Sequence, residues 1–75
     1  MTIEVVEGEW NMAKILIIKY EKRGHFIIPM IDGEYLPTQF KDIQSASNWI
    51  AEKGRYNNLI PVYDNENKVV ELFRN

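Results

Sequence analysis

The chain has no cysteine. That excludes disulfides, thiolate metal sites and cysteine nucleophiles together, and it fits a reducing compartment, so a cytoplasmic location is expected. Glycine occurs four times and never in the spacing of a phosphate loop or a dinucleotide-binding turn. The longest apolar run, Ile15-Leu16-Ile17-Ile18, is far short of a membrane span. The start, Met1-Thr2-Ile3-Glu4, lacks the basic-then-apolar order of a secretory signal. Neither membrane association nor secretion is expected.

Charge of one sign is also scarce. Nine basic and eleven acidic side chains leave a net charge of -2, too mild for a nucleic-acid mimic and too acidic for a general phosphate binder. The placement is uneven. Glu4, Glu7 and Glu9 stand in a segment without Lys or Arg, which leaves 9 − 8 = +1 for the rest of the chain.

What is present suits one small globular domain spanning 1–75, with 45% hydrophobic and 12% aromatic residues in 75. A core of this size contributes a net ~3–5 kcal/mol. Most large apolar side chains are therefore needed for packing, and an interior cofactor cavity is not expected. Residues 13–20 and 25–31 are rich in β-branched and aromatic side chains and read as strands joined by a polar turn at 21–24. Asp32-Gly33 is a hairpin signal, followed by a short third strand at 35–38. Residues 42–53 form a helix with Asp42 as N-cap and Gly54 as its stop. Ile43, Ala46, Ser47 and Ile50 share one face of it, and Phe40 and Trp49 close the edges of the packing. Strands follow at 59–63 and 68–73 around a turn at 64–67. The order ββ(β)αββ predicts a small two-layer α+β domain, an antiparallel sheet of four or five strands with one helix packed across it. Pro29 and Pro61 lack the amide hydrogen an interior strand uses and are expected at sheet edges or bulges.

Residues 27–34 echo residues 59–66, with half of the aligned positions identical. Two strands that each end in an acidic turn account for the echo, and a duplicated hairpin related by pseudo-symmetry is the bolder reading.

Candidate chemistry is sparse. His25 is the only histidine, and no carboxylate stands at a ligand spacing from it. Asp32/Glu34 and Asp64/Glu66 are paired carboxylates at hairpin tips, where Asp caps its own turn, and they lack the cleft that glycosidase pairs need. Ser45 and Ser47 have no base near them in sequence. No catalytic residue, metal site, cofactor or small-molecule substrate is expected, and the protein is expected not to be an enzyme.

Two binding readings remain. Lys19, Lys22 and Arg23 interleave with Tyr20, His25 and Phe26, the mixture that single-stranded nucleic-acid sites use, so a nucleic-acid-binding hairpin at 19–26 is the alternative function. Phe40-Lys41-Asp42-Ile43-Gln44-Ser45-Ala46-Ser47-Asn48-Trp49-Ile50 resembles the Phe-Lys-(x)n-Ala-x-x-Trp-(Leu/Ile) stretch that closes the arm-binding DNA domains of tyrosine integrases, where three strands precede a helix. The resemblance covers this segment alone and carries over no DNA-contacting residue. The leading function is a small non-enzymatic protein that contacts another protein or a second copy of itself, as an inhibitor or regulator. A hairpin centred between Lys22 and Arg23 sets Tyr20 opposite His25 and Ile18 opposite Ile27. One face then holds Ile15, Ile17, Lys19, Phe26, Ile28 and Met30, and is expected to be the core under the helix. The other holds Leu16, Ile18, Tyr20, His25, Ile27 and Ile31, and is expected to bind the partner. Coverage of that second face by Ile3, Val5 and Trp10 is the competing reading.

Met12-Ala13-Lys14 resembles a second translation start. Glu7-Gly8-Glu9-Trp10-Asn11-Met12 can be spelled GAA GGA GAA TGG AAT ATG, which holds the ribosome-binding sequence AAGGAG at a workable distance before the ATG. Residues 1–11 are then either an upstream-start extension, implying a bacterial or bacteriophage source, or a genuine extra edge strand. The ordered core is expected at 13–74.

Overall fold

A computed structural model describes residues 15–74. The expected fold class holds. Among the described residues, five antiparallel strands form one sheet and a single helix packs across it. The strands are β1 (Ile15–Arg23), β2 (Phe26–Ile31), β3 (Glu34–Tyr35), β4 (Leu59–Tyr63) and β5 (Val69–Arg74), in the spatial order β3-β2-β1-β5-β4, and the helix is α1 (Ile43–Tyr56). The choice between an extension and an extra strand for residues 1–11 lies outside the described residues.

The first hairpin is longer than expected. The polar run Glu21-Lys22-Arg23 belongs to β1 and pairs with Ile28, Ile27 and Phe26, leaving Gly24-His25 as a two-residue loop. Gly24 supplies the positive φ of 60° that a Gly-first hairpin turn requires. Tyr20 consequently faces Pro29 rather than His25. The shift is even, so the side chains stay grouped on the faces the sequence predicts. At the next turn, Asp32 and Gly33 both have positive φ and join Ile31 to Glu34 as the Asp-Gly pair demands.

Which face is buried is the reverse of the expectation. Leu16, Ile18, Ile27 and Ile31, expected to bind a partner, form the core with Leu36, Ile50, Ala51, Leu59, Val69 and Leu72. Tyr20 is half-buried against that core, and His25 is exposed in the turn. Ile15, Ile17, Lys19 and Phe26, expected in the core, are exposed, and Ile28 and Met30 are partly so. The reason is electrostatic. With β1 running to Arg23, the first face carries Lys19, Glu21 and Arg23 along its middle strand, and a helix over them would take Lys19 and the Glu21–Arg23 pair out of water. On the second face the charges, Lys22 on β1 and Arg74 on β5, stand at the ends of their strands.

The helix is also longer than expected. Asp42 caps it as the sequence predicts, its carboxylate accepting the Ser45 amide at 2.8 Å. Gly54 does not end it. The glycine is buried inside the last turn, where an added Cβ would stand 2.6 Å from Leu72 Cδ2. The residue is Gly because helix and sheet touch there. The stop falls at Asn57, whose side chain donates to the Lys53 carbonyl, and at Asn58, which takes the positive φ of 63°. The buried helix face is Ala46, Ser47, Ile50, Ala51 and Gly54. Ile43, expected on it, is exposed, while Phe40 and Trp49 meet at 5.9 Å at its edge.

The two prolines differ. Pro61 lies on the edge strand β4, as expected. Pro29 is buried in β2, an inner strand. The Asp32 amide donates to Ile17, so the even positions of β2 bond toward β1. Pro29 therefore turns its backbone to the other side, where its carbonyl accepts from Leu36 but it has no N–H to return to the Leu36 carbonyl. The ladder to β1 is intact, and on the other side the pairing with β3 stops at Tyr35. The echo does not extend to equivalent placement, because β2 is inner and β4 is at the edge.

Val69 shows how the layers lock. Val62 faces Glu71 and Tyr63 faces Val69, which leaves Val70 unopposed as a bulge. The bulge changes the phase of β5, so that Leu72 and Val69 are both buried although an odd number of residues apart. Val69 then points its amide at Ser47 Oγ on the helix (2.8 Å), and its carbonyl accepts from the Tyr20 hydroxyl (2.6 Å).

Candidate docking surface

The face of the sheet opposite α1 is built by alternation. On β1 it shows Ile15, Ile17, Lys19, Glu21 and Arg23. β5 adds Glu71 beside Ile17 and Phe73 beside Ile15, and β4 adds Ile60 and Val62. On the other side β2 supplies Phe26, Ile28 and Met30, and β3 supplies Tyr35. Ile15 and Ile60 are 49% and 48% exposed, and Phe26 and Phe73 are 45% and 38% exposed. Among the described residues nothing lies over them.

Two zones make up this face. The β4–β5 end is apolar apart from Glu71. The β2–β3 end carries a polar network along β1. Glu21 accepts from the Tyr35 hydroxyl at 2.5 Å and from Arg23 Nε at 2.6 Å, and the Arg23 guanidinium lies 4.8 Å from the Tyr35 ring centre. The Tyr35 hydroxyl and then the Arg23 guanidinium hold the Glu21 carboxyl below its ordinary range. Between the zones is a shallow depression of about 240 Å³ lined by Ile17, Lys19, Met30, Asp32 and Gly33.

The residues expected to bind a partner are therefore mostly core, and those expected in the core line the surface. Leu16, Ile18, Ile27 and Ile31 are beyond reach of a partner in the folded domain. The cations of the nucleic-acid alternative separate. Lys19 and Arg23 share the open face, Lys22 alternates to the other side, and Arg23 is engaged by Glu21.

The other candidates take structural places. Asp64 accepts from the Glu66 and Lys68 amides and from Lys68 Nζ at 2.8 Å, so it ties its own turn, and Lys68 draws its carboxyl below the ordinary range. Ser47 bonds the Val69 amide. Among the described residues no group of three or more His, Asp or Glu is arranged to hold a metal ion. Among them, too, no helix is long and apolar enough to cross a membrane. The Ser47–Val69–Tyr20 link has no motif along the chain to announce it. Its trace is a hydroxyl on the apolar face of a helix.

Fold and surface together define a class, a small α+β domain whose sheet is covered on one side and apolar on both. Comparison with protein families, curated proteins and solved structures finds no match for the chain.

Proposed function

We propose that the protein is a small non-enzymatic binding domain that works by protein–protein contact through the open face of its sheet, as a regulator or inhibitor in the cytoplasm. The observation that carries this reading is an apolar face that no other described residue covers. An antiparallel sheet with one helix needs only one apolar side, and monomers rarely expose contiguous apolar patches beyond a few hundred Å². Phe26, Met30, Tyr35, Phe73 and Arg23 on this face are of the residue types enriched at interfaces. The absence of cysteine supports the compartment.

The test is affinity capture with tagged wild type from a host lysate that also contains untagged copies. The expected result is a protein, another chain or the untagged copy, that stays bound at high salt and is lost with Ile17→Glu. Capture unaffected by Ile17→Glu, or no capture, overturns the reading. A gel shift with single-stranded DNA or RNA that weakens with salt and disappears in the Lys22→Ala, Arg23→Ala variant would favour nucleic acid instead.

A further inference from the structure

We infer that the occupant of the open face is a second copy of this chain, joined face to face about a two-fold axis that runs between Lys19 and Glu71. The inference rests on the protein-binding reading of that face and names its partner.

Charge complementarity is the first ground. Lys19 on β1 and Glu71 on β5 are the charges nearest the middle of the face, since Glu71 stands beside Ile17 and Lys19 is the next outward residue along β1. Strand spacing and rise put their Cα atoms about 8 Å apart. Among the described residues neither takes part in an ion pair, whereas Glu21 and Arg23 already satisfy each other. A two-fold operation whose axis bisects the line from Lys19 to Glu71 sets each Lys19 on the other copy's Glu71, so both charges are matched twice.

The same operation matches the apolar zones. On a flat sheet with strands about 4.8 Å apart and about 3.3 Å per residue, Ile60 of one copy falls on Ile28 of the other, Phe73 falls beside Met30, and Ile17 meets itself near the axis. The β4–β5 end of each copy thus covers the β2–β3 end of its mate. The strands of the two sheets cross near a right angle, one of the two arrangements in which sheet faces pack. Arg23 projects beyond the β4 edge and stays solvated, as a rim charge does.

Area is the second ground. The five strands hold 28 residues, which at about 3.3 Å rise and about 4.8 Å spacing cover about 440 Å² in plan. Side-chain relief raises the accessible surface above the plan area, toward the ~800 Å² that each partner buries in a stable interface.

The experiment is sedimentation equilibrium on the full chain, comparing wild type, Lys19→Glu, Glu71→Lys and an equimolar mixture of the two variants. Both positions are on the surface, and thermal midpoints confirm that each variant is folded. The expected result is a wild-type dimer, each variant alone weakened at least about tenfold by like charges brought together, and dimers restored in the mixture, where every contact is again opposite in sign. A wild-type chain that stays monomeric at every concentration overturns the inference, as does a dimer indifferent to both reversals or a mixture no tighter than its components. If the chain is monomeric but captures a different protein in an Ile17→Glu-sensitive way, the second-copy inference falls and the protein-binding reading stands. If there is neither dimer nor capture, both fall.

Discussion

The two faces of this sheet have nearly the same apolar content and opposite fates. The helix-side face holds Leu16, Ile18, Ile27 and Ile31 with Leu59 and Leu72 brought in from distant strands, all of them buried. The open face holds Ile15, Ile17, Ile60, Val62 and Phe73, exposed by 38–49%. The difference between them lies less in hydrophobicity than in the few polar groups each must accommodate. In the middle of the buried face two hydroxyls, Tyr20 on β1 and Ser47 on the helix above it, satisfy the backbone of Val69, while Lys22 and Arg74 stand at the strand ends. The open face contains Lys19, Glu21, Arg23 and Glu71, and charges need water or an opposite charge. Charges at the middle of one face and only at the ends of the other therefore separate the surface that the helix closes from the one it leaves exposed.

The sharpest way to break this comparison is to place the same charge on each face. Ile50→Asp puts a carboxylate where the native side chain has no exposure. Its cost is expected to match the whole net stability of about 3–5 kcal/mol, so the chain should be unfolded by circular dichroism at room temperature. Ile17→Asp on the open face should cost no more than about 1 kcal/mol in the monomer. Equal losses from the two substitutions would show that the faces are not energetically distinct.

Next in size is Ser47→Ala, which leaves the buried Val69 amide without an acceptor. A loss of about 1–3 kcal/mol is expected in chemical denaturation, far above the usual effect of a Ser-to-Ala change in a helix. An unchanged midpoint would mean that the bulge relaxes and Val69 finds water.

Tyr20→Phe removes the donor to the Val69 carbonyl and should cost about 1 kcal/mol. Burial raises the Tyr20 phenol above its ordinary value of 10.0. A raised folded-state value means that the native state keeps the proton longer than the unfolded chain does. This contribution is therefore complete below about pH 10 and declines as pH rises through the folded-state value. Wild type should lose stability more steeply than Tyr20→Phe in that alkaline window, and parallel curves would remove Tyr20 from the account.

The smallest expected effect is at the contact between layers. Gly54→Ala gains about 1 kcal/mol of helix propensity but pushes a methyl into Leu72, an overpacking that costs about 1–3 kcal/mol. A net loss of about 1 kcal/mol is expected in the thermal midpoint. A raised midpoint would show that Leu72 turns aside freely.

The elements were legible along the chain because their causes are local. β-branched runs, the Asp-Gly turn, the Asp42 cap and the acidic turn at Asp64 each act within a few residues. So was the grouping of side chains into faces, since alternation survives any even change of register. Misreading Glu21-Lys22-Arg23 as a turn concealed the charges that decide which face is open. Gly54 looks like a helix stop in sequence because a contact with Leu72, in a strand still to come, leaves no local mark.

Local chemistry in the sequence by itself determined a one-helix, antiparallel α+β domain and its apolar, doubly faced first hairpin. Only the tertiary structure decided which side the helix covers, where β5 slips by one residue to bury Val69, and which backbone groups Ser47 and Tyr20 bind. Those outcomes depend on residues from β1, α1 and β5 meeting in space, and the free energy of a shared contact belongs to no single segment.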